Sequence, residues 1–248
     1  MRRQNYLTTC LASPVDPYRA LLGSSLVAMW DARLGVTLVG GEVDAWRDQI
    51  AGIALNAPSA SERPTYLVDG TNFRGRPVVG IVDATSKRVA TLSAPSLIPL
   101  GSKPELLVVG RLVSLPSGSK FIVRIVPGDF AERVVALLTQ GTDLVVEMYL
   151  ENILIPAGGS TSPCVVEAIY ASVHTVAKDG VTIATGGSDA TGVPMQIVTF
   201  GGNGVGSPGS SQDANLAAVM LINPAPAAAT RTQLLSMISR DWATPAPP

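Results

Sequence analysis

Short apolar runs, each ended by glycine, proline or another turn-forming residue, recur along most of this chain. The run Leu106–Val109 is apolar at four consecutive positions, which predicts a central strand covered on both faces. Further strands are predicted at Leu26–Trp30, Thr65–Val68, Val78–Val82, Arg88–Leu92, Glu105–Val113, Lys120–Val126, Arg133–Thr139 and Leu144–Leu150. Together with 24 glycines and 19 prolines in 248 residues, this pattern predicts an ordered, all-β, antiparallel fold.

Two hairpins are predicted from turn residues between such runs. Asp179-Gly180 separates Val165–Val176 from Val181–Thr185, and Asp-Gly between β-branched runs is a strong hairpin signal. The runs Met195–Phe200 and Leu216–Ile222 flank a Gly/Ser-rich stretch, which predicts a second hairpin with a loose loop.

One helix is predicted near the end of the chain. Within Thr230–Trp242, four apolar residues fall on one helical stripe: Leu234, Leu235, Ile238 and Trp242. Trp242 and Leu235 should therefore be buried. Prolines bracket this segment, and residues 244–248 are expected to form an extended, Pro-rich tail. Residues 1–24 show no helical or strand periodicity, so we expect an N-terminal arm followed by one domain over 25–243.

Composition argues against several partners. Charged residues make up 15% of the chain and the formal net charge is −1, so it lacks the basic field that nucleic acid requires. No stretch is long and apolar enough to span a membrane. Cys10 and Cys164 are expected to be free thiols. The segment between Arg3 and Cys10 lacks the apolar core of an export signal, which predicts synthesis in a cytoplasm.

The order of several segments resembles the concanavalin-A-like (laminin-G-like) jelly-roll modules of phage and bacterial surface proteins. The segments that carry this resemblance are Leu26–Ala32 with Gly35–Thr37 and Val43–Asp48; Arg63–Tyr66 with Gly75–Val79; Lys178–Val181; and Gly201–Asn203 with Leu216–Ile222 and the helix ending at Trp242. The resemblance covers roughly residues 25–243. It implies two antiparallel sheets packed as a jelly-roll sandwich with one short C-terminal helix, but fold alone does not imply function.

Glycoside hydrolases of this fold typically carry a Glu-x-Asp-x-Glu strand motif, and Glu147–Glu151 is its nearest match here. Even spacing would place Glu147, Tyr149 and Glu151 on one strand face, but Tyr149 replaces the middle carboxylate. His174, the only histidine, is predicted to lie on a strand beside Tyr170 and Ser172, with no nucleophile motif elsewhere. We therefore predict that the chain is not an enzyme; a degenerate glycosidase stays an alternative.

No cofactor is predicted. Gly201–Gly206 fails the dinucleotide-binding register, and one histidine with two distant cysteines provides no zinc site. Calcium remains open, because hard oxygen ligands suit it, although no spacing singles out a cage. The carboxylates considered for it are Asp31, Asp44, Asp48, Asp69 and Asp83.

A jelly-roll module without a catalytic partner domain, without an export signal and with a peptide arm ahead of it favours a structural, non-enzymatic role in the virion of a tailed phage, as a capsid-decorating or tail-associated protein. Its expected partners are major capsid or tail subunits and further copies of itself. The arm residues expected to contact them are Arg2, Arg3, Tyr6, Leu7, Leu11 and Tyr18. The alternative is a glycan-binding, lectin-like module on a receptor-binding fibre or cell surface. For that role Tyr66, Tyr149 and Tyr170 are the available rings, since Trp30, Trp46 and Trp242 occupy core positions.

Overall fold

The computed structural model describes residues 13–81, 89–90, 104–113, 120–126, 135–140, 143–148, 151–155, 161–169, 173–186, 197–201 and 213–247. The helices are α1 (Asp16–Leu22) and α2 (Ala228–Trp242). The strands are β1 (Leu26–Asp31), β2 (Val36–Val39), β3 (Glu42–Arg47), β4 (Ala54–Asn56), β5 (Thr65–Asp69), β6 (Arg76–Ile81), β7 (Val89–Ala90), β8 (Glu105–Leu112), β9 (Lys120–Val126), β10 (Val135–Gln140), β11 (Asp143–Met148), β12 (Glu151–Ile155), β13 (Cys164–Ile169), β14 (His174–Lys178), β15 (Val181–Gly186), β16 (Ile197–Phe200) and β17 (Ala214–Ile222). Neither helix combines the length and apolar character that crossing a bilayer requires.

The strands pair antiparallel and form two groups. The first strand group runs in the order β1, β17, β8, β13, β14, β15, with β6 and then β5 beside the start of β17. The second strand group runs in the order β2, β3, β4, β7, β16, β9, β10, β11, β12. Among the described residues, the pair Glu42–Thr65 links the groups into one hydrogen-bonded network. The mostly β, antiparallel fold with a C-terminal helix is confirmed, whereas its division into two separate sheets stays a prediction.

The first strand group is buried on both faces at its centre. All nine residues of β17 are buried, because its neighbours cover its edges and apolar side chains cover both its faces. Leu221 packs into a central cluster, and Met220 into a second cluster beneath the helices. On β8, Leu106 packs into the central cluster and Leu107 into the cluster beneath the helices, which confirms the prediction of a strand covered on both faces.

Aromatic rings join the two strand groups within the central cluster. Trp30 of β1 meets Phe200 of β16 edge to face, with ring centroids 5.3 Å apart. Trp46 of β3 contacts Phe200 in the same manner at 5.4 Å. Such pairs contribute about 0.5–1.5 kcal/mol beyond the burial of their area. The three rings therefore fasten β1 to the second strand group.

Helix α2 lies against the other face of the first strand group. The predicted stripe of Leu234, Leu235, Ile238 and Trp242 is buried, as the spacing indicated. Ala243 ends the helix in the left-handed conformation, with a φ of 56°, and its N–H donates to the Ser239 carbonyl. Trp242 and Leu235 are 0% and 4% exposed, which confirms their predicted burial.

Residues 1–24 were expected to form an arm that contacts other subunits, but the part of this segment near residue 24 packs against the domain itself. Asp16–Leu22 forms α1, with Pro17 in the first turn, where its missing N–H costs nothing. Val15, Tyr18 and Leu22 recur at helical spacing and are buried in the cluster beneath α2. The Tyr18 hydroxyl donates to Asp241 Oδ2 at 3.0 Å, so α1 is held by the chain's own last helix.

One predicted hairpin is confirmed and the other is wrong. Asp179 and Gly180 both have positive φ, 53° and 82°, and Lys178 pairs with Val181 across the turn. The segment before this turn is two strands, β13 and β14, rather than one. Strands β16 and β17 do not pair with each other: β16 joins β7 and β9 in the second group, while β17 lies in the first. The chain therefore crosses between groups where we expected a hairpin.

The predicted tail is irregular in structure but not free of the domain. Residues 243–247 belong to no helix or strand. However, Thr244 is buried, and its carbonyl accepts a hydrogen bond from the Ser239 hydroxyl at 2.7 Å. The tail is therefore docked at its beginning, and the domain boundaries at residues 24 and 243 stay predictions.

Candidate functional site

A row of register-paired residues crosses all nine strands of the second strand group. Each member is the ladder partner of the next, from β2 at one side to β12 at the other. The row, called the polar row below, consists of Thr37, Ala45, Asn56, Ala90, Thr199, Arg124, Ala136, Glu147 and Asn152. Six polar residues are thus interspersed with three alanines.

The described side chains of the polar row, those of Thr37, Ala45, Asn56 and Arg124, lie on the face opposite the central cluster. Its chain neighbours Trp46, Leu55, Val123 and Phe200 are buried in that cluster, and successive residues of a strand point to opposite faces. Thr37 and Asn56 are accordingly exposed, while Ala45 and Arg124 are half-buried. At these four positions the row therefore lies on the outward face of the second strand group.

Arg124 shows how the local sequence positions the row. It stands between Val123 and Ile125, both fully buried, so its place in β9 fixes it on the outward face. Ala136 and Thr199 are its ladder partners on either side. Neighbouring strands lie about 4.8 Å apart, so the row spans roughly 38 Å. A long polar ligand lying across the strands could exchange hydrogen bonds with the Thr37 hydroxyl, the Asn56 amide and the Arg124 guanidinium.

The predicted glycosidase geometry is not formed. β11 ends at Met148 and β12 begins at Glu151, and these two residues are partners across the turn between them. Glu147 and Glu151 therefore lie on opposite strands of a hairpin, and Glu147 pairs with Asn152 instead. The expected arrangement, with both carboxylates and Tyr149 on one strand face, is wrong. Tyr149 itself lies outside the described residues.

His174 is the first residue of β14 and is only 3% exposed. It belongs to the first strand group, whereas the polar row lies in the second. Tyr170 and Ser172, expected beside it, lie outside the described residues. Cys164 on β13 is a free, buried thiol, and burial raises its pKa to about 12. Cys10 and the glycine-rich segment after Gly201 also lie outside the described residues.

Four of the five carboxylates considered for calcium are described, and each of the four is bound by groups of the chain. Asp31 accepts from Arg33 Nε at 2.9 Å, and Asp44 pairs with Arg63 at 2.7 Å. Asp69 accepts from Asn72 and from Arg111, and Asp48 accepts four backbone N–H groups, those of Met29, Ile50, Ala51 and Ile53. Asp83 lies outside the described residues. Within the described ranges, no three His, Cys, Asp or Glu residues gather as metal ligands would.

The burial predicted for the three tryptophans is confirmed, whereas of the three tyrosines considered for glycans the structure describes Tyr66 alone. Trp30, Trp46 and Trp242 are each fully buried. Tyr66 is half-buried, and its hydroxyl donates to the Ala32 carbonyl at 2.9 Å, so its ring is partly committed to the fold. A ligand on the described part of the surface would consequently be held by hydrogen bonds rather than by stacking on tryptophan.

Of the predicted partner-contact residues, the structure describes Tyr18 alone. Its ring is fully buried and burial raises the pKa of its hydroxyl, so it cannot serve as an intermolecular contact. This part of the prediction is wrong, because the stripe it shares with Leu22 supplies an intramolecular docking face. Arg2, Arg3, Tyr6, Leu7 and Leu11 lie outside the described residues, and their role stays a prediction.

The polar row is not visible in the sequence, because its members are scattered from residue 37 to residue 199. Only the register of nine strands brings them together. One local signal was present: a lone arginine inside the apolar run Lys120–Val126 marks a strand with one solvent-facing side.

Several solved structures share this fold. Trypanosoma rangeli sialidase in complex with sialic acid matches with a TM-score of 0.61 and 13% identity, over 90% of this chain and 34% of that one. Domain 4 of AbnA, an extracellular arabinanase from Geobacillus stearothermophilus in complex with arabinotriose, matches with a TM-score of 0.55 and 10% identity, over 85% and 98%. The botulinum neurotoxin type G receptor-binding domain matches with a TM-score of 0.59 and 7% identity, over 85% and 51%.

The chain thus spans about a third of the sialidase chain but nearly the whole of the arabinanase domain. No protein-family model matches the sequence, and no curated protein matches it. At these identities the likeness concerns the fold alone, and it is consistent with a β-sandwich. The names of these three proteins give no link to a phage.

Proposed function

We propose that this chain is a non-catalytic, carbohydrate-binding β-sandwich module, and that the polar row is its binding face. The polar row is the observation that carries the proposal. Sugars present many hydroxyl groups, each both donor and acceptor, and asparagine, threonine, arginine and glutamate side chains complement them. Alanines between these residues leave room for a ligand to approach the backbone of the sheet.

The sandwich interpretation places two sheets face to face, with the central cluster between them. The Trp30–Phe200 contact supports it, because Trp30 lies in the first strand group and Phe200 in the second. The Trp46 indole N–H also donates to the Asp31 carbonyl of β1 at 3.2 Å. Among the described residues Glu42–Thr65 is the one ladder pair between the groups, which supports it too, since a continuous sheet would join the groups by a longer ladder. In the jelly-roll module the polar row would occupy the open outer face of one sheet.

The fold comparisons favour the glycan-binding alternative over the virion hypothesis. The match to domain 4 of AbnA supports it most, because it covers 98% of that chain, which was solved in complex with arabinotriose. The phage-virion role, its capsid or tail partners, self-association and location in a virion rest on sequence alone and stay predictions.

The non-catalytic part of the proposal rests on the register of β11 and β12. A retaining glycosidase holds its two carboxyl groups about 5–5.5 Å apart across the scissile bond. Glu147 and Glu151 belong to different strands and are not ladder partners, so the motif that suggested hydrolysis does not form. His174 is buried in the other strand group and is no substitute.

The proposal is tested by screening the protein on a glycan array that includes arabino-oligosaccharides and sialosides, followed by calorimetry on each hit. Asn56→Ala and Arg124→Gln each remove one set of polar atoms from the row. We expect at least 10-fold weaker binding for both, with unchanged circular dichroism. Arg240→Ala is the matched control, because this side chain is 69% exposed on α2 and away from the row.

Absence of binding to any glycan on the array would overturn the carbohydrate assignment. Undiminished binding by both row variants would overturn the location of the site. Hydrolysis is checked separately by release of reducing ends from the same glycans. Release that disappears in a folded Glu151→Gln protein would overturn the non-catalytic assignment.

A further inference from the structure

Two glutamates are buried where the start of α2 meets the sheet. Glu105 begins β8 and Glu167 lies in β13, and both are 0% exposed. They sit diagonally on adjacent strands, because Glu105 pairs with Ile169 and Glu167 pairs with Leu107. Leu107 belongs to the cluster beneath the helices, so both carboxyl groups lie on the face that α2 covers.

One cation serves both carboxyl groups. Arg231, in the first turns of α2, donates from Nε at 3.2 Å and from Nη2 at 3.1 Å to Glu105 Oε2. Its Nε lies 3.6 Å from Glu167 Oε2, beyond hydrogen-bonding distance. Arg231 also donates to the Pro226 carbonyl, so it ties the loop before α2 to the sheet. With both glutamates ionised, the cluster would carry a net negative charge in a buried place.

The surrounding charged groups do not balance that charge. Lys178 pairs in register with Val166 of the central cluster, so it lies on the opposite face from Glu167. Asp179 accepts the Val165 N–H at 2.8 Å. Arg240 and Asp241 stand at the far end of α2, where Asp241 pairs with Arg33. Strands β1 and β17 place no charged residue beside the pair: Asp31 ends β1, far from Leu26, the partner of Ile222.

We propose that the Glu105–Glu167 pair retains one proton and that its loss releases the start of α2 from the sheet, which makes the docking of this helix sensitive to pH. The retained proton lets one carboxyl remain neutral while the other pairs with Arg231. When it leaves, a second carboxylate is buried beneath α2, and its hydration, which the docked helix prevents, favours opening of the helix from the sheet. This device lies in the first strand group and is independent of the polar row.

The pKa of Glu167 supports the direction of this effect. Burial raises it from 4.5 to about 7, and repulsion from Glu105 adds to the rise, while Arg231 and the Gly180 N–H oppose it. Burial also raises the pKa of Glu105. A carboxyl with a raised folded-state pKa contributes its full stability below the unfolded value and loses it as the pH rises through the folded value. The folding constant should therefore fall ~30-fold between pH 5.5 and 8.5.

The test measures hydrogen exchange of the backbone amides in residues 228–236 at these two pH values, corrected for intrinsic rates, together with urea denaturation. Wild type should lose about 30-fold protection in this helix segment at the higher pH. Glu167→Gln keeps the size of the side chain but cannot ionise, so its protection should be nearly independent of pH. Glu62→Gln, at a surface turn, is the matched control and should behave like wild type.

Equal pH dependence in wild type and Glu167→Gln would overturn the proposal. If Glu167→Gln does not fold, Glu105→Gln and a direct titration of the wild-type glutamate carboxyl carbons by NMR replace it. A Glu167 resonance that titrates near pH 4.5 would also overturn the proposal, and one that titrates near 7 supports it.

Discussion

Trp242 is the largest buried side chain of α2, so its truncation tests how this helix packs against the first strand group. The indole is fully buried, at the end of the stripe formed with Leu234, Leu235 and Ile238. The Arg33 guanidinium carbon lies 4.5 Å above the ring centroid. The ring therefore contributes through burial and through a cation–π contact.

The cost of Trp242→Ala follows from these contacts. Truncation of a fully buried tryptophan lowers the free energy of unfolding by about 3–5 kcal/mol, through lost transfer energy and the remaining cavity. This total includes about 1 kcal/mol of lost cation–π attraction. Arg33 keeps its partners Asp31 and Asp241, so no buried charge is left unpaired. In a domain of this size, that loss lowers Tm by roughly 6–20 °C.

The assay is urea denaturation followed by far-UV circular dichroism, with the free energy of unfolding extrapolated to water. Trp242→Phe should cost only about 1–2 kcal/mol, because indole Nε1 hydrogen-bonds to no described residue and most of the packing survives. Gln233→Ala, exposed on the same helix, should change stability by less than about 0.5 kcal/mol. A Trp242→Ala protein as stable as Gln233→Ala would refute the docking of α2.

Three further changes test other parts of the fold. Ala243→Gly should raise the free energy of unfolding by about 0.5–1 kcal/mol in the same urea assay, because Ala243 ends α2 with a φ of 56° that glycine adopts without strain; a loss of stability would contradict the left-handed cap. Asp48→Asn should cost about 2–4 kcal/mol, since its carboxylate accepts four backbone N–H groups, whereas Asp44→Asn, with a side chain 41% exposed, should cost under about 1 kcal/mol. In a Cys10→Ser protein, Cys164 should react slowly with a thiol reagent at pH 8 and rapidly in concentrated urea, because burial raises its pKa to about 12; fast labelling of the native protein would show that β13 is open.

Elements with a strong local signal were predictable from the sequence. The stripe of α2 recurs at helical spacing between prolines, and Asp179-Gly180 supplies two residues that tolerate positive φ. The consecutive apolar residues of β8 indicated burial on both faces, and the structure places that strand at the centre of the first group. In each case the residues that decide the local structure are neighbours in the chain.

Long-range pairing was not predictable. The sequence predicted that β16 and β17 form a hairpin, but each strand pairs with strands that are distant in the sequence. No residue near either strand indicates these long-range pairings. The helix α1 was missed although Val15, Tyr18 and Leu22 fall at helical spacing, because seven residues make only two turns. The polar row depends on the register of nine strands, so none of its residues stands out alone.

The position of β17 has a consequence for how the chain can fold during synthesis. This strand lies between β1, β6 and β8, yet it ends at residue 222. Until the ribosome has synthesised β17, the edges of β1 and β6 that pair with it are unpaired. Their backbone groups and apolar faces can then bind other chains. Such non-local pairing also slows folding. The centre of the first strand group is therefore completed only when β17 has been synthesised. Molecular chaperones that bind the nascent chain would have their largest effect before that point.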